Sequence, residues 1–152
     1  MAYAVTLHLL AAVIWVGGMF FAYMALRPAA VEILEPPPRL KLWLATFKRF
    51  FLWVWLAVII LLASGYWMVF NIFGGFDRAG MHINIMHIAG IIMVMIYLHV
   101  FFAPYRRLRL AVRAEDFQQA GSQLAQIRSL VGWNLLLGLA VISIASAGRY
   151  IS

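Results

Sequence analysis

His8, His82, His87 and His99 stand in or beside long apolar runs that contain no Asp, Glu, Lys or Arg. Ionisable groups inside a bilayer are expensive, so each is a functional candidate by default. A neutral imidazole can serve as an axial haem ligand or as a nitrogen ligand to copper. The stretch MHINIMH (residues 81–87) adds two methionines, whose thioethers suit copper(I). The chain has no cysteine. That excludes thiolate metal sites, iron–sulfur clusters, disulfides and covalent haem attachment. With no carboxylate in the spans, a carboxylate proton relay has nothing to run on.

The elements that must position these histidines follow from hydropathy. Only 11% of the 152 residues are charged, against about 25% in soluble domains, and the mean hydropathy is +0.93. Such a chain is an integral membrane protein, with the lipid bilayer as its first partner. Four runs reach the roughly 20 residues that a helix needs to cross a bilayer. They cover about residues 2–26, 50–72, 80–103 and 130–147. The first is too long for a signal-peptide core and lacks its basic start, so it reads as retained. The expected fold is an all-α four-helix membrane bundle forming a single domain over residues 1–152.

Basic residues choose the orientation. Arg27, Arg39, Lys41, Lys48 and Arg49 lie in one long connection; Arg106, Arg107, Arg109, Arg113 and Arg128 lie in the other. The opposite side holds Arg78 and Arg149. The positive-inside rule then puts both connections in the cytoplasm and both termini outside, in a bacterial inner membrane. The net charge of +7 belongs to these loops facing an anionic leaflet, and nucleic acid is not an expected partner.

Smaller features refine the plan. Pro36-Pro37-Pro38 breaks the chain, and Leu40, Leu44, Phe47 and Phe51 then share one helical face. That pattern fits an interfacial helix or a cytoplasmic extension of the second span. Phe117, Ala120, Leu124 and Ile127 also follow helical spacing. Arg27-Pro28 and Pro104 are expected to end the first and third spans. The loop Phe73–Arg78 reads as a plain turn, and Trp43 and Tyr105 as belt residues at the bilayer surface. Gly17-Gly18, Ala63-Ser64-Gly65, Gly90 and Gly138 permit close helix approach. Gly17-Gly18 would also let a flat ring lie on the backbone.

Depth and rotation narrow the histidine set. His8 lies 19 residues from Arg27, and His87 lies 19 from Arg106, each about 28 Å of helix. That level match favours His8 and His87 as a trans-haem pair. His82 is about 7.5 Å further out and about 140° away around the helix. It cannot share a metal with His87 from one face. His82 is free to meet a propionate, a quinone headgroup or water, and Arg78 and Arg149 to pair with propionates. His99 belongs near the cytoplasmic end, as an anchor or an inner site.

Three motifs carry a resemblance. LHLLAAVIWVGGMFF (7–21), GMHIN (80–84) and FFAPYRRLR (101–109) resemble the copper resistance protein D (CopD) family of bacterial membrane proteins. More distantly, the chain is similar to HemJ-type protoporphyrinogen oxidases. The resemblance implies a helical bundle with haem or metal ligands at His8 and His82, where the depth match favours His87. HemJ-type proteins carry Trp-Leu-His-x-Lys in the third span. Here the segment is Met81-His82-Ile83-Asn84, without the lysine.

Two functions and one non-catalytic role are therefore expected. The first is a protein with one haem b, held by His8 and His82 or His87. It would pass electrons at the outer face to or from a quinone or periplasmic redox partner, as a haem-dependent membrane oxidoreductase. The alternative is a copper(I) binding or transport protein with Met81, His82, Met86 and His87 as an outer capture site. The remaining role is a membrane assembly subunit. Homo-oligomerisation is left open.

Overall fold

The structure, a computed structural model, describes residues 2–151, with side chains described for residues 2–147. It is helical throughout, without a strand among the described residues. The elements are α1 (Ala2–Phe21), a π turn (Ala22–Leu26), α2 (Arg27–Ile33), α3 (Pro36–Asn71), α4 (Met81–Phe102), α5 (Pro104–Arg113) and α6 (Phe117–Ile151). Four helical stretches are long and apolar enough to cross a membrane.

Contacts along the helices show an up-down-up-down bundle. His8 on α1 meets Ser64 on α3, and ten residues later Gly18 meets the Phe50 ring. The partner's number falls as α1 advances, so the two helices run antiparallel. Tyr66–His87, Trp55–Tyr97 and Phe51–Phe101 set the same antiparallel register between α3 and α4. Gly138 on α6 faces Val16 and Met93, and Gly132 faces Tyr23, which closes the ring on α1 and α4. One end of the bundle therefore holds His8, His82 and His87. The other holds ten of the twelve basic residues.

The core is aromatic. Phe47, Phe51, Tyr97 and Tyr105 are buried and pack ring on ring, with Phe51–Tyr105 at 4.9 Å and Phe47–Phe51 at 5.2 Å. Offset and edge-on contacts suit the ring quadrupoles. Tyr97 donates its hydroxyl to the Phe51 carbonyl at 3.1 Å, because a hydroxyl inside lipid must find an acceptor. Leu52, Trp53, Leu56 and Ile59 on the far face of α3 are exposed, as a lipid-facing surface requires.

Several expectations change. Helix continues past Arg27-Pro28 to Ile33. Proline has no N–H and its ring crowds the preceding turn. The wide π turn at Ala22–Leu26 shifts the hydrogen-bond ladder just before Pro28 and absorbs the defect. Helix α3 runs unbroken from Pro36, so the segment before the second span is an extension of it. The prolines sit in the first turn of α3, where a missing N–H costs nothing. Pro104 does break its span, opening α5 after Ala103. Trp43 and Tyr105 are core residues, not belt residues. The pattern of Phe117, Ala120, Leu124 and Ile127 holds: Ala120 and Ile127 are fully buried. Asp116 caps this helix by accepting from the Gln119 N–H at 3.0 Å.

Candidate metal centre

His8 is half-buried on α1. The flat ring lies beside Gly65 of α3: a Cβ at that glycine would sit 3.4 Å from His8 Cε1. A Cβ there would make an ordinary van der Waals contact with the ring. Next to it, His8 Nδ1 is 2.8 Å from Ser64 Oγ. The Ser64 hydroxyl already donates to the Ile60 carbonyl, at 2.5 Å. A serine hydroxyl has one proton, so toward His8 it has only lone pairs to offer. His8 Nδ1–H is then the donor, and a neutral ring donating from Nδ1 keeps the Nε2 lone pair for a ligand. Metal-binding imidazoles are oriented in this way, one nitrogen fixed by a hydrogen bond and the other free to ligate.

His87 is packed differently. Its ring is edge-on to Tyr66 at 5.2 Å and tilted against Phe76 at 4.8 Å. Tyr66 directly follows Ser64-Gly65. His8 and His87 are thus anchored to consecutive residues of α3, at one level of the bundle. Around that helix Tyr66 is about 100° from Gly65 and about 160° from the hydrogen-bonded Ser64.

Phe76 comes from the loop between α3 and α4, so that loop is not a plain turn. Gly74 (φ +74°) and Gly75 (φ +106°) take the left-handed conformation, which glycine adopts without a Cβ penalty. The Gly75 N–H reaches back to the Val69 carbonyl at 2.9 Å. Asn84 on α4 donates to the Phe76 carbonyl at 3.3 Å. These bonds hold the Phe76 ring over His87.

The other expected residues lie apart from this level. His82 folds back over Gly80, where a Cβ would meet its ring at 2.9 Å. Its ring belongs to the first turn of α4, away from Tyr66. Met81 is 79% exposed, so MHINIMH does not close into one compact site. Arg78 is exposed and lies along the Gly74 turn. His99 is exposed on the last turn of α4, at the opposite end of the bundle. The side chain of Arg149 lies outside the described residues. Among the described residues, no three His, Asp or Glu side chains converge on a point.

Sequence reasoning missed Ser64, Tyr66 and Phe76. In the sequence Ser64 stands as one of three small residues that allow close approach, and Gly65 does play that part. A serine hydroxyl deep in an apolar span is the available signal, because it needs a partner there.

The Copper resistance protein D family matches residues 44–147. The chain belongs to the CopD family. No curated protein and no solved structure matches it. The matched region of this CopD protein takes in Ser64, Tyr66, His82, His87 and His99, and begins after His8. It is thus a multi-pass membrane protein of that family, with an oriented imidazole on α1 beside the matched region.

The donor set can be tested against the two metals expected from the sequence. A neutral His8 donating from Nδ1 to Ser64 could offer Nε2 to either. Haem iron would be held by His8 alone or by His8 with His87, whose ring packs against Tyr66 and Phe76. Copper(I) accepts low coordination numbers and does not require a three-ligand cluster. His8 with one further soft or nitrogen donor is an adequate start for copper(I).

Proposed function

We propose that this protein handles copper ions within the membrane, using His8 as an imidazole ligand. The observation that carries this reading is the Ser64–His8 hydrogen bond, which engages Nδ1 and leaves Nε2 for a ligand when the ring is neutral. His87, level with His8, is the second imidazole candidate. Membership of the CopD family, whose name concerns copper resistance, supports copper as the metal. Bound copper would supply a soft Lewis-acidic, redox-active ion. The protein's own contribution is to fix the His8 tautomer through Ser64, to seat the ring on Gly65 and to screen His87 with Phe76. The charge asymmetry supports both termini outside and the histidine end at the periplasmic side of the inner membrane.

A second reading has its own support. His8 and His87 share one depth and together could hold a haem b, which would supply one-electron chemistry. In that case the protein would pass electrons between a quinone and a periplasmic partner. One experiment separates the readings: measure copper and haem in the full-length protein purified from a copper- and haem-replete host. Copper near stoichiometry, lost in His8→Ala, supports the first. A reduced-minus-oxidised b-type spectrum, lost in the same variant, supports the second. Metal-free, colourless protein overturns both and leaves an assembly subunit.

A further inference from the structure

At the end of the bundle opposite His8, a cavity of about 210 Å³ opens between the π turn, α2, α3 and α6. Its wall is apolar, with Leu40, Trp43, Phe47, Leu124 and Val131. Arg27, Arg39 and Arg128 also line it, one from each of α2, α3 and α6. No acidic residue lines it. Among the described residues, no hydrogen bond or ion pair holds any of these three guanidiniums. Glu32 and Glu35 are nearby in sequence but exposed.

Arg27 is held in place by an aromatic stack. Its guanidinium lies 5.1 Å from the Tyr23 ring centre. Tyr23 in turn packs on Gly132 of α6, where a Cβ would stand 3.1 Å from Tyr23 Cε2. Tyr23 lies within the π turn, so the turn that accommodates Pro28 also sets the ring carrying Arg27. Like charges are thereby gathered at one cavity with no anion from the chain itself. The start of α3 offers an anion few backbone donors. Its first three residues are prolines, and the Arg39 N–H is already bonded to the Glu35 carbonyl at 3.0 Å.

From this geometry we infer that the cavity is a binding site for an anionic phospholipid. The phosphate is held by Arg27, Arg39 and Arg128, and part of an acyl chain lies along Trp43 and Leu124. Guanidinium forks match phosphate oxygens bidentately. The apolar wall is what favours a lipid over an inorganic anion, which would use only the rim. Basic pockets between membrane helices bind acidic headgroups by the same physics.

The test uses the full-length protein in detergent, with lipid binding followed by native mass spectrometry. The probes are phosphatidylglycerol, phosphatidylcholine with the same acyl chains, and inorganic phosphate. Phosphatidylglycerol should bind in clear preference to phosphatidylcholine and should not be displaced by inorganic phosphate. Each of Arg27→Gln, Arg39→Gln and Arg128→Gln should weaken it about fivefold, and the triple variant about a hundredfold. Arg106→Gln with Arg107→Gln and Arg113→Gln, all exposed and outside the cavity, should leave it unchanged. Gly121 lines the cavity with open space at its Cβ position. Gly121→Leu therefore fills the tail site without touching the arginines and should also abolish binding. Equal binding of phosphatidylcholine would overturn the proposal. So would displacement by inorganic phosphate, equal loss in the control arginine variants, or full binding in Gly121→Leu.

Discussion

His8 Nδ1 lies 2.8 Å from Ser64 Oγ, joining the first transmembrane helix to the second through an oriented imidazole. The relationship ties the candidate ligand to a residue fifty-six positions away. Removing the serine leaves the ring in place but free to change tautomer. Ser64→Ala should lower metal affinity about ten- to a hundredfold, as loss of an outer-shell partner commonly does. Ser64→Thr, which keeps the hydroxyl, should restore most of it. Metal titration of the purified variants checks this, and unchanged affinity in Ser64→Ala would remove the orienting role.

The two histidines of MHINIMH should separate cleanly. His87→Ala should weaken metal binding, because His87 shares the level of His8 on α3. His82→Ala should leave it unchanged, because that ring is folded over Gly80. The reverse order in the same titration would move the site outward to His82.

The helix contacts at glycines are also testable. At Gly138 an added Cβ would lie 2.8 Å from Val16 Cγ2 and 3.1 Å from Met93 Cε. Valine is stiff at χ1 and cannot step aside. Gly138→Ala should cost about 1–3 kcal/mol, the usual range for overpacking. Gly17 has nothing within 4 Å of the same position, so Gly17→Ala should melt at or above the parent temperature. Thermal melts in detergent compare the pair.

Tyr97 offers a hydrogen bond that can be removed without changing the packing. Tyr97→Phe keeps the contacts with Trp15, Phe51 and Trp55 but loses the bond to the Phe51 carbonyl. The expected loss is about 0.5–1.5 kcal/mol, the net value of one such bond. An equal melting temperature in Tyr97→Phe would show that the bond contributes nothing.

Orientation can be read by chemical labelling, since the chain has no cysteine of its own. Asp77→Cys and Ser122→Cys place single thiols at exposed positions at opposite ends of the bundle. A membrane-impermeant thiol reagent should label Asp77→Cys in intact cells after outer-membrane permeabilisation. Ser122→Cys should react only after the inner membrane is opened. The opposite pattern would invert the topology.

Amino-acid order alone determined the four apolar runs, the break at Pro104 and the sorting of ten basic residues to one end. Each is a local or compositional property. It also determined that His82 and His87 face apart, because five residues of helix turn through a known angle. The level match of His8 and His87 was likewise legible from helix rise, and their anchorage on Ser64-Gly65 and Tyr66 agrees with it.

Only the tertiary structure decided which side chains meet. The spans are apolar nearly all round, because lipid is as apolar as the core, so periodicity does not mark their inward faces. Nothing local could pair His8 with Ser64, set Phe76 over His87 or bury Trp43. The helix through Pro28 depends on a π turn that residue preferences do not announce. Arg27, Arg39 and Arg128 are far apart in sequence and looked like ordinary loop charges. The parallel helices α3 and α6 both start at the cavity beside the π turn, which brings the three arginines together, because helix ends fixed at the same depth must share the space between them.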